Sequence, residues 1–232
     1  MAYSKGEVNR AGELIAQARP ITTPEDLDRL VGAIEVVDWW RSEHARPLTL
    51  VAANLRYYAA EVGDPVVAQR LKRLPTIIGK MIREPRMKLS RMGDIGGVRA
   101  VVPDQDAAYY VARRLRKNWT ITRFSDYAAN PKADGYRALH LINKHRGRLI
   151  EVQIRTPLQD NWANLVEIYS AEAGAGLKYG EGPQEMRQAL VELSRVDAEF
   201  ESDSSSGASA QARSEELLSR IDTFLEERDN ES

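Results

Sequence analysis

The chain has 232 residues, of which 43% are hydrophobic, so it can bury one substantial core. Its net charge of −1 excludes a global basic field for nucleic acid, and the absence of cysteine excludes disulfides, thiol nucleophiles and cysteine-based metal sites. The sequence contains no signal-peptide pattern and no apolar run long enough to cross a bilayer, which predicts a cytoplasmic protein without a membrane partner.

The N-terminal quarter of the chain is predicted to be helical. Apolar residues recur at helical spacing, and Thr23-Pro24-Glu25-Asp26 provides a hydroxyl cap, a proline in the first helical position and acids in the first turn. Helices are predicted over residues 7–18, 24–44 and 48–62. We assign residues 1–45 to an N-terminal helical segment.

The middle of the chain, residues 46–200, alternates strand and helix patterns. Strands are predicted at residues 66–71, 98–102, 119–124, 138–142 and 149–155. Helices are predicted at residues 75–83, 104–117, 157–173 and 184–200. The order strand, helix, strand, helix, strand and then a hairpin predicts a mixed sheet with helices packed on it, which is an α/β architecture.

The C-terminal end is divided by composition. Residues 201–211 are rich in serine, glycine and alanine, which predicts a linker. Residues 212–232 then form a predicted last amphipathic helix that is mobile.

One stretch, Asp126 to Thr156, carries the clearest chemical pattern. Because side chains alternate along a strand, its last strand places Glu151, Gln153 and Arg155 on one face and apolar residues on the other. A carboxylate, an amide and a guanidinium in a row suit a site for phosphate and metal. The same alternation is also the ordinary pattern of a half-solvated strand.

A second chemical pattern precedes it. Residues 70–99 hold nine lysines and arginines against two acids, Glu84 and Asp94, which indicates a ligand that bears phosphate or a solvated helix face. Asp94 stands beside Gly96 and Gly97 at a strand entrance. It is therefore either a Mg²⁺ ligand, since Mg²⁺ takes few hard oxygen ligands plus substrate phosphates, or an ordinary turn residue.

Taken together, these motifs resemble a known family. In this order and spacing they closely resemble the synthetase domain of the RelA/SpoT family, the (p)ppGpp synthetases, over roughly residues 45–175. The matching motifs are Arg70-x-Lys72, Gly93 to Arg99, Asp126-Tyr127, Pro131 to His140, and Glu151 to Thr156. The resemblance implies a nucleotidyltransferase-like fold and an enzyme that transfers the β,γ-pyrophosphate of ATP to a ribose 3′-hydroxyl and releases AMP.

The resemblance also implies roles for the ATP and metal residues. Arg70 and Arg99 are expected to sandwich the adenine, and Lys72 to contact phosphate. Asp94 is expected to bind Mg²⁺, and Glu151 to be a second metal ligand or the base for the 3′-hydroxyl.

The acceptor residues follow from the same resemblance. Lys132, Tyr136 and Gln153 are expected to bind the acceptor, with Tyr136 stacking on its base. The possible supporting residues are Lys80, His140 and Arg155, and we expect His140 to be structural rather than catalytic.

Motifs that are absent from the sequence indicate which type of family member this chain resembles. No histidine is followed by aspartate, as the hydrolase domain of the large bifunctional enzymes requires, and the length leaves no room for regulatory C-terminal domains. We therefore expect a single-domain small alarmone synthetase. The segment Trp40-Arg41-x-x-His44 with Pro47-Leu48 resembles the toxic small alarmone synthetases of bacterial and phage toxin–antitoxin systems.

The identity of the acceptor stays open between two candidates. The 3′ end of tRNA is slightly favoured, with an antitoxin protein as a partner for residues 1–45 or 212–228; GDP, GTP or adenine nucleotides, giving (p)ppGpp or (p)ppApp, come close behind. A nucleotide-binding regulator that has lost catalysis is a third hypothesis. The presence of both Asp94 and Glu151 argues against that regulator, and a protein-interaction module is less favoured still.

Overall fold

The computed structural model describes residues 2–17, 19–174, 176–177, 181–203 and 207–231, without the side chains of residues 207 and 227–231. Its helices are α1 Lys5–Ala16, α2 Pro24–Ser42, α3 Ala45–Ala59, α4 Leu74–Arg83, α5 Gln105–Asn118, α6 Pro157–Glu172, α7 Gln184–Ser202 and α8 Gly207–Glu231. Its strands are β1 Val66–Leu71, β2 Gly96–Val101, β3 Ile121–Asp126, β4 Leu139–His145 and β5 Arg148–Arg155. Each predicted element is present within a few residues, because the hydrophobic period that sets an element is local.

The strands form one mixed sheet in the order β1-β2-β5-β4-β3, which confirms the α/β prediction. β2 pairs with β5 in parallel, and the other neighbours pair antiparallel. The parallel pair places Gly97 beside Glu151 and Arg99 beside Gln153 in the centre of the sheet.

One face of this sheet is apolar. Val98, Val152 and Ile154 are at most 1% exposed and pack with residues of α3 and α5 such as Leu55 and Leu115. Alternation along β2 and β5 sends the intervening residues to the other face. That second face carries the charged and polar residues singled out above.

The N-terminal helices form a second core with α4. Val8 of α1, Trp40 of α2 and Ile77 of α4 are buried together, so the N-terminal segment is packed onto the rest of the chain. The Thr23 hydroxyl accepts a hydrogen bond from the Asp26 amide, which confirms the predicted start of α2. α1 ends at Ala16, and the predicted last residue of that helix, Ala18, lies outside the described residues.

The C-terminal helices differ from the prediction. Residues 201–202 belong to α7 and residues 207–211 begin α8, while residues 204–206 of the predicted linker lie outside the described residues. Composition misleads here because the start of α8 has alanine, the best helix former, at Ala208, Ala210 and Ala212. The predicted mobile helix packs along α7, with Leu217 and Ile221 at most 6% exposed.

None of the helices in the described ranges combines the length and the apolar character needed to cross a membrane.

Candidate active site

Asp94 lies in the turn that leads into β2, directly over the polar face of the sheet. Glycine lets the chain come this close: a Cβ atom at Gly93 would stand 3.0 Å from Ile142 Cδ1, and one at Gly96 would stand 2.8 Å from Ile150 Cδ1. Since real Cβ atoms essentially never approach within 3.0 Å, a larger residue at Gly96, the first residue of β2, would force the Ile150 side chain to move.

Two lysines hold the Asp94 carboxylate. Lys72 Nζ, just after β1, donates to Oδ2 at 2.8 Å, and Lys80 Nζ, from α4, donates to Oδ1 at 3.0 Å. Burial would raise the pKa of this carboxyl, but the hydrogen bonds and charges of both lysines outweigh burial and hold the pKa below its ordinary value. Asp94 is therefore ionised at neutral pH and has cations ready beside it.

Glu151 lies on β5 and is held by its neighbours on the same face. Gln153 Nε2 donates to Oε2 at 2.9 Å, and His140 Nδ1 lies 3.1 Å from Oε1. Burial would raise the pKa of Glu151 and the nearby negative charge of Asp94 adds to that, but the hydrogen bonds from His140 and Gln153 hold the pKa below its ordinary value. Asp94 and Glu151 are thus two ionised carboxylates in one site.

A hydrogen-bonded chain connects Glu151 to Tyr136. An ionised carboxylate can only accept, so His140 Nδ1 carries the proton, and Nε2 is free to accept from the Tyr136 hydroxyl at 2.7 Å. Arg155 Nη2 donates to the same hydroxyl at 3.0 Å and to Gln153 Oε1 at 2.9 Å. His140 and Arg155 therefore fix the positions of the acceptor residues named from the sequence.

Tyr136 and Lys132 lie together at the edge of this group. Lys132 Nζ is 4.8 Å from the ring centroids of both Tyr127 and Tyr136, a cation–π arrangement. Gly135 precedes the ring with φ +91°, and a Cβ atom there would stand 3.1 Å from the Val191 backbone Cα. Only glycine satisfies both conditions, so Gly135 sets how Tyr136 enters the site.

The two arginines predicted to hold adenine lie on the same face. Arg70 is exposed on the edge strand β1 opposite Gly97, and Arg99 is two residues further along β2. Arg99 Nη1 is 2.8 Å from Asp160 Oδ1, and Arg155 Nη1 contacts the same oxygen at 2.9 Å. Asp160, in the first turn of α6, thus fixes two guanidinium groups.

The structure brings most of the predicted residues into two adjoining groups. Lys72 and Lys80 surround Asp94, while Tyr136, His140, Gln153 and Arg155 extend from Glu151. Arg70 and Lys132 stand at opposite margins of the site. In the part of the chain described, no three histidine, aspartate and glutamate side chains form a cluster able to hold a metal ion.

Three contributing residues were missed from the sequence. Asp160 anchors the arginines, Tyr127 shares Lys132 with Tyr136, and Arg41 Nε of α2 donates to the Lys72 carbonyl oxygen at 2.8 Å. Asp160 has a signal of its own, an acid at the start of a helix that directly follows Arg155. Arg41 was quoted only within a motif, and the sequence does not indicate its contact with Lys72, which depends on how α2 packs.

Known proteins resemble this chain in sequence. The region found in RelA and SpoT proteins matches residues 69–170. An uncharacterized protein of Mycobacterium tuberculosis is 33% identical over 195 residues, which cover 82% of this chain and 67% of that protein. The bifunctional (p)ppGpp synthase/hydrolase SpoT of Escherichia coli is 34% identical over 136 residues, which cover 56% of this chain and 19% of SpoT.

A solved structure extends the likeness to the fold. Small alarmone synthetase 1 of Bacillus subtilis, bound to its product pppGpp, matches with a TM-score of 0.58 and 24% identity over 75% of this chain and 99% of its own. The region matched by the family, residues 69–170, contains the turn that carries Asp94 and the strand β5 that carries Glu151. The chain belongs to the RelA/SpoT family, has the fold of a small alarmone synthetase, and is a diphosphotransferase of that family.

Proposed function

We propose that this enzyme transfers the β,γ-pyrophosphate of ATP to a ribose 3′-hydroxyl and releases AMP. The carrying observation is the pair of ionised carboxylates, Asp94 and Glu151, on one sheet face with cations on both sides. Phosphoryl-type transfer needs positioning and charge neutralisation, and this face offers both. Arg70 and Arg99 hold the adenine in this proposal, and Lys72 and Lys80 receive the phosphates.

Mg²⁺ fits the donor set. Mg²⁺ binds through one or two carboxylates and completes its shell with water and substrate phosphates, so a cluster of three protein acids is unnecessary. Asp94 and Glu151 would hold the ion, which when bound neutralises the charge on the transferred group. When Mg²⁺ is not bound, Lys72 and Lys80 balance the negative charge of Asp94.

Glu151 is the proposed proton acceptor. The acceptor 3′-oxygen forms a bond to the β-phosphorus of ATP, and the bond from that phosphorus to the oxygen of the α-phosphate breaks, so AMP leaves with the electron pair. The hydroxyl proton passes to the Glu151 carboxylate. His140 and Gln153 position that carboxylate, and Lys132, Tyr136 and Gln153 position the acceptor.

The acceptor we propose is the 3′ end of tRNA, with inhibition of translation as the outcome in the cytoplasm. Arg73 begins α4 and is exposed, and Arg83 lies one turn beyond Lys80 on the same helix, also exposed. Together with Lys72 and Lys80, these two arginines form a positively charged surface that extends outward from the site. Such a surface suits a polyanionic acceptor. A toxin of this kind would be held in check by an antitoxin protein.

A guanosine nucleotide is the second candidate acceptor. The names of two relatives favour it, since SpoT is a (p)ppGpp synthase and the Bacillus enzyme was solved with pppGpp. The ring of Tyr136 beside Lys132 could serve either acceptor, because both end in a base attached to a ribose.

A transfer assay decides between the acceptors. Purified protein receives ATP labelled at the γ-phosphate, Mg²⁺, and GDP, GTP, ATP or deacylated tRNA in separate reactions. We expect label in tRNA, and none with Asp94→Asn. Label in GDP or GTP would replace tRNA by the nucleotide acceptor, while ATP binding without any transfer would point to the silent regulator.

A further inference from the structure

We propose that a pocket formed by α1, the 3-10 turn Leu89–Arg91 and the β4–β5 turn is a second phosphate-binding site, separate from the carboxylate pair. The pocket has a volume of about 380 Å³, and its polar lining comprises Lys5, Asn9, Lys88, Ser90, Arg91 and Lys144. That size is typical of sites for small ligands. The remaining wall is the turn at Gly147 and Leu149.

The charge of the pocket identifies the class of ligand. Four lining side chains are cations and none is an acid, and in the described part of the chain none of the four cations has a side-chain ion pair or hydrogen bond. Like charges held together repel one another unless an anion lies between them. No lining residue is aromatic, so the pocket offers nothing for a base to stack on and recognises phosphate groups alone.

The walls of the pocket are fixed by packing. Val8 of α1 and Leu89 of the turn are fully buried, and a Cβ atom at Gly12 would stand 3.0 Å from Leu89 Cβ. The Ser90 amide donates to Asn9 Oδ1 at 3.0 Å and ties the two walls together. The backbone segments that carry the four exposed cations are therefore fixed relative to one another before any ligand arrives, which lowers the entropic cost of bringing the cations together.

The pocket lies apart from the catalytic residues. Lys144 pairs with Leu149 at the far end of the β4–β5 hairpin, beyond the pair formed by Ile142 and Glu151. Gly93 sits against Ile142 and separates the two places. Lys5 and Asn9 also lie outside the matched family region, so the pocket depends on a helix that the family match does not cover.

The test is a calorimetric titration of the full chain with sodium tripolyphosphate, without ATP or acceptor. We expect two sites in the wild type, one at the catalytic lysines and one in the pocket. The double variant Lys88→Gln/Arg91→Gln should retain a single site, with affinity for the lost one reduced about tenfold or more. Lys5→Gln/Lys144→Gln should behave alike, and circular dichroism checks that each variant is folded.

A matched control removes two cations elsewhere. Arg113→Gln/Lys117→Gln changes α5, which packs on the opposite face of the sheet, and should leave both sites intact. Binding by both pocket variants that equals that of the wild type overturns the proposal, whether the wild type shows one site or two. That result does not depend on which acceptor the enzyme uses, because no transfer is measured.

Competition then identifies the source of the phosphates. Displacement of tripolyphosphate from the pocket by GTP assigns the site to a free nucleotide, and displacement by a single-stranded RNA hexamer assigns it to phosphodiesters. Either result supports a phosphate site. Failure of both competitors to displace tripolyphosphate overturns it.

Discussion

The two faces of the central sheet are built from the same strands but have different roles: one packs in the apolar core and the other carries the polar residues of the site. On one face Val152 and Ile154 of β5 are fully buried against α3 and α5. On the other face Glu151 and Gln153, one residue away along the same strand, take part in a polar network. The comparison shows how one strand separates stability from chemistry through alternation alone, so substitutions at adjacent positions should have unlike effects.

The largest expected effect lies on the polar face. Asp94→Asn or Glu151→Gln removes a carboxylate at the centre of the site, and we expect transfer to fall by about 10³-fold or more, in line with losses of single electrostatic groups in active sites. Thermal unfolding should change little, since neither side chain packs in the apolar core. Asp106→Asn, at an exposed position of α5, is the control with unchanged transfer. Retention of activity by both carboxylate variants would remove them from the mechanism.

The apolar face should respond in the opposite way. Ile154→Ala deletes a fully buried side chain and should lower the free energy of unfolding by about 2–5 kcal/mol. Its neighbour Gln153→Ala should leave unfolding almost unchanged while it weakens transfer, because the amide contacts Glu151 and Arg155. Urea unfolding of both variants measures the contrast, and equal stabilities would contradict it.

The next effect is a pH-dependent change in the free energy of unfolding, and it comes from a buried acid on α7. Burial, with a smaller contribution from the charge of Glu201, raises the pKa of Asp197 from 3.8 to about 6. The folded state thus binds a proton more tightly than the unfolded state, so the stability from this group is present below pH 4 and is lost as pH rises to about 6.

Asp197→Asn tests this linkage. The variant should be more stable than the wild type by about 1–3 kcal/mol at pH 7, and the difference should shrink towards pH 4. Urea unfolding at several pH values measures it. A difference that does not vary with pH would mean that Asp197 titrates normally in the fold. Glu185→Gln, exposed on the same helix, serves as the reference for loss of one charge.

The smallest expected effect separates the residues of the polar face that bind ATP from those that take part in the chemical step. Asp160→Asn weakens the hold on Arg99 and Arg155 without touching either carboxylate. We expect the KM for ATP to rise about tenfold with a smaller change in kcat, since a positioned arginine contributes binding through charge-assisted hydrogen bonds. Asn161→Ala, exposed beside it, is the control. A fall in kcat at unchanged KM would instead place Asp160 in the chemical step.

Local patterns in the sequence carried most of the fold and the centre of the site. The alternation from Ile150 to Arg155 identified both faces of β5, and the glycines beside Asp94 marked the close approach of the turn. The contact of Lys80 with Asp94 agrees with its place among the supporting residues. These features depend on neighbours along the chain, which a sequence displays directly.

Features that depend on packing between distant elements were not predicted. Asp160 gained its role because α6 returns over β2, and Arg41 because α2 rests on the loop after β1. The start of α8 was wrongly predicted to be a linker, since its alanine-rich composition fits both a linker and a helix. The helix is stabilised by the packing of Leu217 and Ile221 on α7, which the composition does not indicate. The cationic pocket likewise appears only when α1 meets the turn before Asp94.

The parallel pairing of β2 with β5 has a consequence for the order of events during synthesis. Asp94 enters the fold with β2, but its counterpart Glu151 arrives with β5, after two further strands and a helix. A nascent chain that ends before β5 cannot assemble the carboxylate pair, so it has no means to consume ATP on the ribosome. Activity is thus absent until residues 148–155 have been synthesised, and two separate fragments cut between β2 and β5 should gain activity only when mixed.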